Sequence, residues 1–189
     1  MRRGDAAGRG RFNVHLIALL IAGCCVAAAG AGAAEAAKAR VRLLGALRAA
    51  FASIMDGVLI GALPLPALLA NAGTGGKGAA YAAKTLLGET GKAMALSPDT
   101  AFRTAFFSTA ERLSKGLLRP LHKADLQALS PWLEMVGEGG MEQQRRALEG
   151  ASRALERLEQ EALKRLADDV RLCRTLGLTG GAALVLLLL

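Results

Sequence analysis

Apolar residues recur at steps of three and four along much of this chain. Between Met141 and Arg174 they fall at Leu148, Ala151, Leu155, Leu158, Ala162, Leu166, Val170 and Cys173, with charged residues between them. That spacing puts one apolar stripe on a long amphipathic helix. The stretch that follows, Thr175–Leu189, carries no charge and ends in an unbroken run from Leu184 to Leu189. A second amphipathic helix is predicted over Glu35–Ile60, with Val41, Leu44, Leu47, Phe51, Ile54, Met55 and Val58 on one side and Lys38, Arg40, Arg42 and Arg48 elsewhere. Pro64 and Pro66 stop it and start a short helix over Pro66–Asn71.

Shorter elements fill the middle. Ala79–Leu87 reads as a modest helix with Tyr81, Leu86 and Leu87 for packing, and Gly88–Ala95 as a looser continuation. Ser97-Pro98-Asp99 has the order of a helix start, with Ser97 as N-cap, so a helix over Pro98–Lys115 is expected to bury Phe102, Ala105, Phe106, Thr109 and Leu113. A further helix over Asp125–Glu138 holds Leu126, Leu129, Leu133 and Val136, and Pro131 within it points to a turn followed by a helix capped by Ser130. Trp132 reads as a packing or membrane-adjacent residue. Gly137 and Gly139-Gly140 break the chain before the long helix.

Composition agrees with the pattern. Apolar residues make up 52% of the 189, aromatics only 4%, and Ala and Leu favour helices while strands want β-branched and aromatic side chains. The expected class is all-α: a helical bundle over residues 35–174, flanked by a transmembrane anchor at 13–34 and a C-terminal membrane segment at 175–189, behind a basic head at 1–12. The segment 13–34 has no formal charge and spans about 22 residues, enough to cross a bilayer as a helix. It also fits a cleaved signal peptide; an uncleaved anchor is favoured because the run is long and the helical pattern continues past it. Thr175–Leu189 is short for a full span.

The formal net charge of +8 does not point to nucleic acid, because the cations are spread along helices or flank apolar runs with few aromatics among them. Lys38, Arg40, Arg42, Arg48, Lys164, Arg165, Arg171 and Arg174 lie on the bundle side of the two apolar segments, against Arg2, Arg3, Arg9 and Arg11 in the head. The positive-inside bias then puts the bundle in the cytoplasm.

Candidate chemistry is sparse. Cys24, Cys25 and Cys173 have no metal-ligand spacing, and His15 and His122 make no ligating pair. Gly73–Gly78 lacks the first glycine, the hydroxyl residue and the preceding strand of a phosphate loop. The carboxylates of the long helix alternate with arginines and lysines, a pattern for i,i+4 pairs on a solvated face. No enzymatic activity, cofactor, metal or small-molecule substrate is expected.

Three stretches carry a family likeness. They are the corner from Gly61 through Pro64 and Pro66 to Leu69, the lead-in Leu133…Gly137…Glu142…Gln144…Leu148 to the long helix, and Arg174–Leu188 with Gly177 and Gly180. Together, in that order behind an N-terminal anchor, they resemble the stage III sporulation protein AB family. The resemblance implies a bundle similar to the F domain of type II secretion and type IV pilus platform proteins. It also implies a place, with other sporulation channel subunits and a secretion-type ATPase, in the channel-like assembly between mother cell and forespore. Gly61, Pro64 and Pro66 at the corner, and Gly137, Glu142, Gln144 and Arg145 at the start of the long helix, are the candidate residues, as helix stops and caps or as partner contacts; Gly177 marks the C-terminal segment. A reading from another class is an amphipathic membrane-surface protein unrelated to secretion, its basic helices lying on anionic lipid.

Overall fold

The computed structural model describes Gly32 and residues 34–58, 64–72, 76–137 and 139–188, and of 169–188 the backbone alone. All of the anchor expected at 13–34 but Gly32 and Ala34, and the corner residue Gly61, lie outside the described residues. Those residues form six helices and no strand: α1 (34–58), α2 (Leu65–Ala72), α3 (Ala79–Leu96), α4 (Phe102–Leu113), α5 (Lys123–Met135) and α6 (Met141–Leu188). Among the described residues no helix is long and apolar enough to cross a membrane. The chain divides into two compact units, one of residues 37–165 and one drawn from both chain ends, 1–36 with 166–189.

The unit 37–165 is an up-and-down bundle whose helix directions follow from its contacts. Gly45 and Arg48 of α1 face Glu159 of α6, and Arg48 also reaches back to Glu156, so the two helices run antiparallel. Gly57 of α1 meets Leu68 of α2. Arg112 near the end of α4 pairs with Glu89 of α3 at 2.9 Å, while Arg103 near its start pairs with Glu134 late in α5 at 3.0 Å. Arg40 in α1 meets Asp125 in the first turn of α5. Residues 37 and 165 therefore lie at one end of the bundle, together with the α4–α5 connection; the α5–α6 turn lies at the other, where Gly137 neighbours Leu65.

The predicted stripes form the core. Leu44, Leu47, Phe51 and Ile54 of α1 and Leu148, Ala151, Leu155, Leu158 and Ala162 of α6 are buried in one apolar cluster, joined by Leu43, Ala147 and Ala154. Each fully buried Leu or Phe stabilises the fold by about 1.5–3 kcal/mol relative to exposure. Phe106 of α4 sits at the centre, 6.3 Å from Phe51 and 5.9 Å from Phe102 between ring centroids.

The structure departs from the sequence reading at four places. Helix α3 continues unbroken through Gly88–Ala95, because Gly88, Thr90 and Gly91 are buried in the bundle; tertiary packing outweighs the low helix propensity of glycine. Tyr81, expected to pack, is 46% exposed. Helix α4 starts at Phe102 and not at Pro98. The Ser97 N–H donates to the carbonyl of Ala93 and the Thr100 N–H to that of Ser97. Ser97–Thr100 thus forms a turn with Pro98 at its second position, a place that suits the fixed φ of proline, and it closes α3 instead of capping α4. Finally, Pro131 does not split α5, which runs through it as one helix; Ser130 caps nothing there and accepts a hydrogen bond from Arg103 Nε at 2.8 Å.

Two close approaches lock this arrangement. A Cβ on Gly91 would lie 2.7 Å from Leu69 Cβ and 2.8 Å from both Ala70 N and Pro66 O, so α3 crosses α2 with glycine against backbone. Arg40 donates from Nε to Asp125 Oδ2 at 2.9 Å and from Nη2 to Oδ1 at 2.6 Å, and Asp125 Oδ2 also accepts the His122 N–H at 3.0 Å. Asp125, 2% exposed, thereby caps its own helix and ties it to α1.

Gly91→Val is expected to cost about 1–3 kcal/mol from overpacking, while Gly116→Ala, with only Leu113 O at 3.9 Å, leaves the thermal midpoint close to that of the parent chain. Arg40→Ala strands a buried carboxylate and should cost about 3 kcal/mol; the double variant Arg40→Met, Asp125→Leu should lose less than the single one. Urea denaturation followed by circular dichroism measures both effects, and equal stability of Arg40→Ala and the parent would refute the second.

Candidate functional site

The corner before α2 is built by proline. Pro64 stands just outside the helix, and its carbonyl accepts from Ala67 N at 2.9 Å and Leu68 N at 3.2 Å. Pro66 occupies the first turn, where its missing N–H costs no helical bond, and its carbonyl lies against Gly91. The turn before α6 is built by glycine. Gly137 and Gly139 have φ of +92° and +78°, values that a side chain strains. Leu65 Cδ2 lies 3.8 Å from where a Cβ on Gly137 would stand, so the corner and the lead-in are neighbours at one end of the bundle, as their sequence positions, some seventy residues apart, could not show.

From that turn α6 begins with a charged lattice. Arg145 grips Glu142 with two bonds, Nε to Oε2 at 3.0 Å and Nη2 to Oε1 at 2.7 Å, and its Nη1 donates to Glu149 Oε1. Arg146 Nε donates to Glu142 Oε1 at 3.1 Å, and Arg153 lies 3.7 Å from Glu149. Hydrogen bonds from Arg145 and then Arg146 hold the Glu142 carboxyl down at about 2. The same pairing raises Arg145. Gln144 is half-buried, and its N–H donates to Gly140 O at 3.1 Å as part of the helix start. Gly177 falls within α6. Glu142 and Arg145 therefore meet each other, and Pro66 meets α3.

The lattice borders a cleft that the sequence did not announce. Trp132 of α5 lies against Gly150 of α6, with ring carbons 2.2–2.5 Å from where a Cβ would stand. Around this contact Arg146, Glu149, Arg153 and Arg157 line an open cleft of about 530 Å³. Trp132 thus packs between helices, and only Gly leaves room for it. A glycine on the polar side of the α6 stripe, level with the only tryptophan, was the available signal. The arrangement offers guanidinium groups around an aromatic side chain, with Glu149 the one carboxylate on the rim. Among the described residues no cluster of His, Cys, Asp and Glu could hold a metal ion.

Because the Glu142 carboxyl is held below its ordinary value of 4.5, the pairing contributes fully above that pH and fades as pH falls towards 2. A carbon-13 titration of Glu142 should give a midpoint near 2, moving up towards the ordinary value in Arg145→Gln and in strong salt. A midpoint unchanged by Arg145→Gln would break the assignment.

No curated protein and no solved structure matches this chain. One family model does, over residues 15–189, from the first apolar run through the bundle to the last residue. The proline corner, the glycine turn and the long helix are all inside that match, and the chain belongs to the stage III sporulation protein AB family.

Proposed function

We propose that this protein is a non-enzymatic, membrane-anchored scaffold subunit of a secretion-like channel between mother cell and forespore, where it couples a cytoplasmic ATPase to the membrane complex. Family membership gives the sporulation role. The observation that supports mechanical coupling is the continuity of α6. One helix of 48 residues bears the core stripe, the charged lattice and the uncharged run Thr175–Leu188, so a load on the lattice and an anchor in lipid would act on the same element. In this reading residues 13–34 are the second anchor and the bundle faces the mother-cell cytoplasm, which the excess of cations on the bundle side supports. The bundle stands in the place of the F domain of secretion platform proteins, and the Arg153–Arg157 face of α6 docks the acidic surface of the ATPase.

The competing picture, amphipathic helices spread on lipid, needs free apolar stripes. Leu44, Leu47, Phe51 and Ile54 of α1 and Leu148, Ala151, Leu155, Leu158 and Ala162 of α6 are buried in the core.

Full-length protein in mild detergent should retain the secretion-type ATPase of the same cell on affinity purification. Arg153→Glu with Arg157→Glu should weaken that retention about tenfold or more, the scale of losing interface charges, and deletion should reduce heat-resistant spores. Failure to associate in several detergents together with normal spore counts would reject the reading.

A further inference from the structure

Arg146, Gly150, Arg153 and Arg157 recur at steps of four, three and four and so share one face of α6. Three of them carry guanidinium groups. At the glycine there is no side chain, and Trp132 of α5 fills the space. The indole is half-buried and lines the cleft of about 530 Å³ along this face, as does Ala154. The charges here do not cancel. Glu149, the one carboxylate of the lining, receives Arg145 on one oxygen and lies 3.7 Å from Arg153 on the other. Arg146 shares Glu142 with Arg145, which already holds that carboxylate by two bonds. Other acids nearby are turned elsewhere: Asp125 and Glu134 of α5 pair with Arg40 and Arg103, and Glu156 faces Arg48 of α1. Glu161, one turn beyond Arg157, is exposed and outside the lining. Arg157 makes no ion pair among the described residues, and both it and Arg153 are exposed.

From this we infer that the cleft takes an extended acidic segment of the partner ATPase, whose one apolar side chain packs against Trp132 while carboxylates on alternate residues pair with Arg153 and Arg157. Charge selects the acids, since the guanidinium groups outnumber the carboxylates that meet them. Spacing selects the extended form. Arg153 and Arg157 are about 6 Å apart along the helix axis, and alternate residues of an extended chain point the same way at intervals of about 6.6 Å. The indole selects an apolar neighbour. Tryptophan and arginine are the side chains that most often dominate an interface, and Trp132, seated on the α6 backbone at Gly150, has little freedom left to lose on binding. The inference rests on the docking proposed above and adds the chemistry of what docks: a short linear motif with its own anchor, where that reading needs only opposite charge.

Trp132 is the only tryptophan of the chain, so biosynthetic replacement by 5-hydroxytryptophan puts a single emitter at the cleft, one that is excited apart from the tryptophans of a partner. The full-length protein carrying it, in mild detergent, is titrated with the secretion-type ATPase of the same cell. It is titrated in parallel with the peptide acetyl-Leu-Ser-Glu-Ser-Glu-amide and with two counterparts, one with both glutamates replaced by glutamine and one with the leucine replaced by serine. The ATPase should move the emission of this residue, and the acidic peptide should move it in the same sense and displace the ATPase. Either counterpart should need about tenfold more peptide, as should the parent peptide against Arg153→Gln with Arg157→Gln, exposed positions at which the exchange leaves the core intact. An ATPase that is retained without moving the emission, or equal potency of the three peptides, would overturn the inference and leave the docking itself standing. An ATPase that does not associate at all would remove the docking, and the inference with it.

Discussion

The bundle depends on how closely other helices can approach one face of α6. Ala147, Leu148, Ala151, Ala154, Leu155, Leu158 and Ala162 are buried along that face. The alanines leave the backbone within reach and the leucines fill the gaps that remain. Alanine burial contributes little area per residue. It costs no side-chain rotamer freedom, however, and it allows close contact along the whole seam. Where even alanine would be too large, glycine stands: Gly150 under Trp132, Gly91 under α2, Gly45 beside Glu159. A chain with 4% aromatic residues can still close its core, because its packing relies on proximity more than on bulk.

Polar interactions then fix which helix lies where. The apolar stripes of α1, α5 and α6 are chemically alike, and stripes of leucine and alanine tolerate more than one pairing. Arg40 and Asp125 admit one. Their pairing is buried, doubly hydrogen-bonded and shared with the N-terminus of α5, so a shift of α5 by one turn would strand the carboxylate. The exposed pairs on α6 do something different. Individually they are worth a few tenths of a kcal/mol, but Arg145 joins Glu142 and Glu149 across two turns, which stiffens the first part of the helix where it emerges from the glycine turn.

These features describe a protein made to keep its geometry. Many of its charged groups are matched within the fold, and its one long helix belongs to the core and to the uncharged run alike. The proposed scaffold role asks for that combination: stiffness along α6 and a guanidinium-lined face for a partner.

The sequence by itself determined the class, the stripes of α1 and α6 and the proline corner, because helical periodicity and the backbone limits of proline are local properties. It also determined the family, through the order of its motifs. Only the tertiary structure decided that Gly88 and Gly91 continue a helix, since the burial of both, Gly91 against α2, is a fact about distant residues. The same holds for Ser97, whose turn closes α3; an N-cap signal and a turn signal share the same letters, and the surrounding packing selects between them. The pairing of Arg40 with Asp125, 85 residues apart, and the seating of Trp132 on Gly150 were invisible for the same reason. Local chemistry says which face of a helix is apolar, but the fold alone says what meets it.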